Sequence, residues 1–289
     1  KNGGLGGNIV VDILLGNTKY LNSEGVKSGN KISKYFDLNL NQLQKKAVEF
    51  AVNSPITIVH GPPGTGKTYT IIEIIKQLSL NQNERVLVCG PSNISVDTIL
   101  ERLAKVFTSE IANVDDGGKS KRKRKAAANS TKFPPEKLIR IGHPARLLAT
   151  NLDHSLDVLS KGTEILSDIH RDIGDVLGKV KKAKRYAERR ALWGELKILR
   201  KELREREKKL TLDLLLGANV VLLTLHGSGA YELTSIYKDQ ENASFDTIII
   251  DEVSQALEPQ CWIPLINHYG FKRLIIAGDN MQLPPTVKS

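Results

Sequence analysis

The stretch PITIVHGPPGTGKTYT, residues 55–70, decides the fold. Ile56, Thr57, Ile58 and Val59 read as a short buried strand, and Ile71, Ile72, Ile74, Ile75 and Leu78 recur as the apolar face of a helix that follows. Between them Gly61, Pro62, Pro63, Gly64, Thr65, Gly66, Lys67 and Thr68 fit the pattern G-x-x-x-x-G-K-[ST], with Tyr69 next on the helix. Glycines let the backbone curl until several N–H groups point at one phosphate, and the helix N-terminus behind them adds partial positive charge. Lys67 is expected to reach the outer phosphates and Thr68 to hold a magnesium ion. The ligand implied is a nucleoside triphosphate with Mg2+.

Outward from this loop the chain alternates strand and helix. Strands are predicted at 55–60, 85–90, 138–142, 219–224, 246–251 and 272–278, and helices at 41–52, 66–80, 94–107 and 255–267. Continuous apolar strands interleaved with helices predict an α/β fold, a mostly parallel sheet covered on both faces. Ligands then collect at the carboxyl ends of the strands, where the loops after 60, 90, 224, 251 and 278 converge. In TIIIDEVSQ, Asp251 ends a strand and is placed to hold magnesium, while Glu252 beside it is placed to orient and deprotonate an attacking water.

Two segments interrupt the alternation. Residues 110–134, including KSKRKRK at 119–125, have the composition of a mobile basic loop. Residues 152–216 carry Ile165, Ile169, Ile173 and Val180, then Leu192, Leu196, Leu199, Leu203 and Leu210, at helical spacing. They predict a hairpin of two amphipathic helices turning near 181–190. Trp193 and Trp262 are read as core residues on apolar faces. Before the α/β region, IVVDILL suggests a short element and 16–37 a connector.

The net charge is +10, and it is local: residues 119–125 carry +6 and residues 179–209 carry +9, leaving the remainder at −5. A basic hairpin face suits a polyanion. Cys89 and Cys261 are expected in separate apolar settings, as buried small residues in a reducing compartment. The longest apolar run, 214–225, is too short to span a bilayer, so no membrane association is expected. The only methionine is Met281, and the chain reads as a fragment of something longer.

GPPGTGKT also occurs in ring-forming protein-remodelling ATPases, where the acidic pair follows the loop closely. Here 184 residues separate Lys67 from Asp251. Three further stretches decide the matter. LNQLQKKAV sets Gln44 on a helix start, where its amide is suited to adenine N6 and N7. GPSNISVD follows the second strand with hydroxyl and amide groups suited to phosphate oxygens. GDNMQLPP ends the last strand with Gln282, placed to sense the terminal phosphate. With HGPPGTGKT, IRIGHPARLL, ILRKELREREKK and IIIDEVSQALEPQCWIPL, these blocks resemble the superfamily 1B helicases, the group that includes the up-frameshift factor, senataxin and the immunoglobulin-mu-binding helicase. Within it the blocks are also similar to yeast helicases associated with DNA polymerase alpha.

The resemblance implies a RecA-like first motor domain formed by 38–109, 135–151 and 217–289, with 1–37 a connector from a preceding subdomain and 152–216 a helical insertion. It implies ATP-driven five-prime to three-prime translocation and unwinding on single-stranded DNA, with RNA or a hybrid as the alternative. A third alternative for the fragment itself is a binding module without activity. It gives Lys67, Glu252 and Gln282 to catalysis. Gln44 and residues Gly61 to Tyr69 go to the nucleotide, and Thr68 and Asp251 to magnesium. Pro91, Ser92, Asn93 and Thr224 go to the strand, joined by Lys181, Lys182, Lys184 and Arg185 of the basic hairpin. A monomer in the nucleus and cytoplasm, working beside replication polymerase machinery, is the implied setting. A second RecA-like domain is expected to supply arginines to the transferring phosphate. Asn280-Met281 and Val253-Ser254 depart from the pairs common in that group.

Overall fold

In a computed structural model, the structure describes residues 8–17, 31–112, 137–143, 147, 149–161, 164–239, 243–282 and 284–285, without the side chains of 105–112, 149–150, 164–165 and 238–239. The basic run 119–125 lies outside the described residues. In chain order the elements are α1 (Ile9–Leu14), α2 (Gln42–Asn53), β1 (Ile56–His60), α3 (Lys67–Lys76), β2 (Val86–Gly90), α4 (Asn93–Ala112) and β3 (Leu138–Arg140). Then come α5 (Leu156–Lys161), α6 (Glu164–Lys182), α7 (Tyr186–Gly217), β4 (Val220–Thr224), α8 (Tyr231–Thr234), α9 (Ile236–Asp239), β5 (Thr247–Ile250), α10 (Glu258–Asn267) and β6 (Arg273–Gly278).

The six strands form one sheet in the order β1-β6-β5-β2-β4-β3, every pairing parallel. Each central strand is apolar on both sides, so alternate residues feed two cores. In β2, Val86 and Val88 pack under α2, α3 and α4, while Leu87 and Cys89 pack against α1, α10 and the end of α7. Cys89 and Cys261 therefore do not stand in separate settings as expected. Both belong to this second layer, because α10 lies across the face that Cys89 points to.

The helix starts follow local chemistry. Asn41 caps α2 by accepting the Gln44 N–H while the Gln44 side chain accepts the Asn41 N–H, a reciprocal box that satisfies two donors at once. Asn8 caps α1 and donates to the carbonyls of Tyr269 and Phe271, fastening the short IVVDILL element onto the second layer. The end of the connector is also fixed. The buried Glu73 carboxylate accepts the N–H groups of Phe36 and Asp37, and Gln77 donates to the Lys34 carbonyl, so residues 34–37 are strapped to α3 and to the π-helical turn Gln77–Asn81 that extends it.

The hairpin forms as its periodicity predicts. Ile173, Val176 and Val180 of α6 close on Leu192, Leu196 and Leu199 of α7, and residues 183–185 make the turn. Trp193 is a correction: it is 49% exposed, because one residue past Leu192 lies about 100° round the helix from the seam. Trp262 packs against the second core layer.

Candidate functional site

The loop after β1 takes the conformation its glycines allow. Gly64 and Gly66 have φ of +81° and +80°, the left-handed region that a side chain resists. At Gly61 a Cβ would stand 2.7 Å from the Thr65 hydroxyl, which itself donates to the Pro62 carbonyl at 2.8 Å. Gly66 precedes α3 with no side chain capping it, so the first N–H groups of α3, on Lys67, Thr68 and Tyr69, stay open to an anion. Pro62 and Pro63 are exposed at the rim, and Tyr69 projects outward under the Arg102 guanidinium, 4.9 Å from its ring.

Across the loop β5 delivers the acidic pair. Asp251 is 3% exposed, and its carboxylate accepts the Glu252 N–H at 2.9 Å. Burial, and next the Glu252 charge beside it, push the Asp251 carboxyl up from 3.8 to about 6. Glu252 is a non-glycine residue at φ +51°, a left-handed turn that breaks β5 as its side chain reaches Lys67: Oε1 lies 3.4 Å from the largely buried Nζ. Lys67 thus carries a carboxylate where phosphate oxygens would sit.

The donor set fits magnesium. Mg2+ is held by one or two protein oxygens with phosphates and water completing the octahedron, rather than by an all-protein cage. A buried carboxylate whose ionisation is penalised, a threonine hydroxyl, and no cluster of three or more His, Cys, Asp or Glu ligands among the described residues match that chemistry.

Beside the loop lies a cleft of about 380 Å³ lined by Asn41, Leu43, Gln44, His60, Thr65 and Lys67 among others. The Gln44 amide donates to the Thr65 carbonyl at 3.2 Å while its oxygen stays in the capping box. It sits at the cleft wall, facing the loop. Gln282 is half-buried after β6, its N–H donating to the Asp279 carbonyl at 3.2 Å.

The residues expected to face a nucleic-acid strand split into two groups. Gly90 pairs with Thr224 in register, and the Leu225 N–H donates to the Gly90 carbonyl, so the loops holding Pro91, Ser92 and Asn93 and the turn after Thr224 are neighbours. Ser92 is exposed and caps the start of α4 by accepting the Ser95 N–H, while the Thr224 hydroxyl accepts the Gly227 N–H. Lys181, Lys182, Lys184 and Arg185 are exposed at the hairpin turn. The structure does not bring them to the loops: the 32 residues of α7 put the tip about 48 Å of helix from the sheet.

Four features escaped the sequence reading. His60 lies 3.1 Å from Asn280 Oδ1 and 3.7 Å from the buried Asp279 carboxylate, linking the phosphate loop to the segment after β6. The Ser254 hydroxyl accepts the Asp279 N–H, so the two departures from the family pattern, at Ser254 and Asn280, both make contacts. Arg140, fully buried, pairs with Asp97 at 2.8 Å and donates to Asn93 Oδ1 at 2.9 Å, holding the loop after β2 from beneath. An arginine inside an apolar strand, LIRIG, was the available signal. Finally, buried His268 takes a hydrogen bond from the Tyr237 hydroxyl at 2.5 Å and donates to the Ser228 carbonyl, tying the turn after Thr224 to α10. Burial lowers its pKa to about 4, so it stays neutral.

A left-handed glycine loop on a helix start, faced by a strand-end Asp-Glu pair in a parallel sheet, defines a RecA-like P-loop fold. The family described as AAA domain matches residues 39–289, and the chain belongs to it. It is 50% identical over 265 residues to the DNA polymerase alpha-associated DNA helicase A of Saccharomyces cerevisiae, covering 91% of this chain and 35% of that protein. It is 39% identical to the DNA-binding protein SMUBP-2 of Rattus norvegicus (88% of this chain, 23% of that protein) and 30% identical to the probable helicase senataxin of Homo sapiens (87% and 11%). These relatives place it in the superfamily 1B helicase group, and the chain spans about a third or less of their length.

Proposed function

We propose that the chain is the first motor domain of an ATP-dependent helicase that tracks single-stranded DNA from five-prime to three-prime. The observation that carries this reading is one sheet edge that presents Lys67, Asp251 and Glu252 at one end and the coupled loops of Ser92 and Thr224 at the other. The N–H groups of the glycine loop and Lys67 hold the phosphates. Thr68 and Asp251 would hold Mg2+, which would supply charge neutralisation on the phosphate oxygens. Glu252, released from Lys67 when phosphate arrives, orients a water and takes its proton. The water oxygen bonds to the terminal phosphorus as the bond to the leaving diphosphate breaks, giving ADP and phosphate. Gln282, with His60 beside Asn280, would sense loss of that phosphate, and the Gln44 amide would turn from the Thr65 carbonyl to read the base.

DNA is favoured over RNA by the printed names of the relatives, one a DNA helicase and one a DNA-binding protein. The polymerase association in the first of those names supports a nuclear role beside replication machinery. We place the protein in nucleus and cytoplasm as a monomer, with 1–37 a connector, 38–109, 135–151 and 217–289 the motor domain, 110–134 a mobile loop and 152–216 an insertion. Among the described residues no helix is long and apolar enough to cross a membrane. The test is ATP hydrolysis by the complete protein with oligothymidylate, with oligouridylate and with neither. Stimulation by the DNA strand well above the RNA strand is expected, and stimulation by neither would refute the reading.

A further inference from the structure

The hairpin tip accounts for only part of the basic charge of this region. Along α7, Tyr186, Arg190, Trp193, Lys197, Arg200 and Arg204 follow one another by fours and threes, so they form one stripe down the helix. All six are exposed, Tyr186 at 81% and Trp193 at 49%. The stripe lies about a quarter turn from the Leu192, Leu196 and Leu199 seam, so packing on α6 does not explain it. The acidic residues Glu188, Glu195 and Glu202 recur every seven residues on the opposite side of the same helix, where Arg206 pairs with Glu202. The side-chain ion pairs formed along α7, Lys201 with Glu205 and Arg206 with Glu202, involve none of the six. Packing on α6 leaves unexplained two large aromatic rings standing in water in one line with four cations.

We propose that this stripe is a binding track for single-stranded nucleic acid, with Tyr186 and Trp193 stacking on bases and the four cations on phosphates. It rests on the reading that the chain handles a single strand and names the surface that takes it. The spacing suits the ligand. Seven residues of helix rise about 10.5 Å, close to three phosphate steps of a stacked strand at about 3.4 Å each. From Tyr186 to Arg204 the stripe runs about 27 Å, or roughly eight such steps, within the site sizes common for single-strand binders. Exposed rings favour unpaired bases, since a duplex keeps its base faces stacked inside. The track also leads somewhere. At its foot Arg204, Glu207, Lys208 and Thr211 line a cleft of about 290 Å³ with Tyr231, Glu232 and Ser235, on the segment that follows the turn after Thr224. A strand on the stripe therefore continues toward the loop already assigned to it.

The test measures binding of a labelled oligothymidylate and of a blunt DNA duplex to the complete protein. Tyr186→Ala with Trp193→Ala is expected to weaken the single strand by about 10- to 100-fold, leaving the salt dependence of binding and the affinity for duplex unchanged. Tyr186→Phe with Trp193→Phe restores most of the loss, since the stack survives. Glutamine at Arg190, Lys197, Arg200 and Arg204 together lowers the slope of log affinity against log salt by about 3. Strand-free ATP hydrolysis stays at the parent rate in every variant, which shows the fold intact. Single-strand affinity unmoved by the alanine pair, or single strand and duplex weakened alike, overturns the track. That outcome is separate from failure of the motor reading, which shows instead as loss of strand-stimulated hydrolysis in the parent protein.

Discussion

Replacing Asp251 with asparagine is expected to make the nucleotide-free protein more stable while abolishing its use of magnesium. The Asp251 carboxyl titrates near 6 in the folded chain against an ordinary 3.8, because it is buried and sits beside Glu252. The sign is the reverse of the usual aspartate. Between those two values the folded state holds a proton that the unfolded state has lost, so the contribution to stability is fully present below 3.8 and is lost as pH rises through 6. Each unit is worth about 1.4 kcal/mol, which sets a ceiling of about 3 kcal/mol for the penalty of the bare carboxylate at pH 7.5. Asparagine has the same shape, and its oxygen still accepts the Glu252 N–H, so Asp251→Asn removes the charge without opening a cavity. With partial relaxation, about 1–2 kcal/mol of stabilisation is expected, a rise in Tm of roughly 2–8 °C. The assay is thermal unfolding of both proteins without nucleotide between pH 5 and 8, then with Mg-ATP. The gap should widen from pH 5 to 7 and close or reverse with Mg-ATP, which stabilises only the parent. A variant less stable than the parent at pH 7.5, or a gap that ignores pH, would refute the reasoning.

Three more outcomes follow from the same geometry. Gln44→Ala should erase the preference for ATP over GTP in hydrolysis assays, and it should also lower stability by about 1 kcal/mol, because half of the α2 capping box goes with it. Asp97→Ala strands the fully buried Arg140 guanidinium and should cost about 3–5 kcal/mol in urea unfolding, against near-parent stability if the pair were dispensable. Glutamine at Lys181, Lys182, Lys184 and Arg185 should flatten the salt dependence of single-strand binding; an unchanged slope would mean that the hairpin tip faces solvent or another protein.

The strands were legible because a parallel sheet buried on both faces demands continuous apolar runs, and six such runs stand between recognisable turns. The glycine loop and the Asp-Glu pair were legible for a related reason: each is a local chemical requirement met by neighbouring residues. What stayed hidden was contact between segments far apart in the chain. His60 reaches Asp279 and Asn280 across more than two hundred residues only because β1 and β6 are neighbours, a pairing that no run of residues announces. Arg140 stands inside an apolar strand, and nothing in the neighbouring residues names Asp97 as the partner beneath it. Trp193 was misread because an apolar side chain one place from a leucine seam reads as core in sequence, while 100° of helix turns it into water. The basic character of α7 was visible as composition, but the line that joins Tyr186 and Trp193 to four cations appears only when the residues are wound onto the helix.

The most direct measurement is single-turnover cleavage of ATP on the complete protein with saturating single-stranded DNA, comparing the parent with Glu252→Gln. With Glu252 as the group that orients and deprotonates the water, and Lys67 and the loop doing the holding, the variant should bind Mg-ATP as tightly as the parent and cleave it about 10²- to 10⁴-fold more slowly. Cleavage at the parent rate would contradict the assignment of this site as the motor's hydrolytic centre.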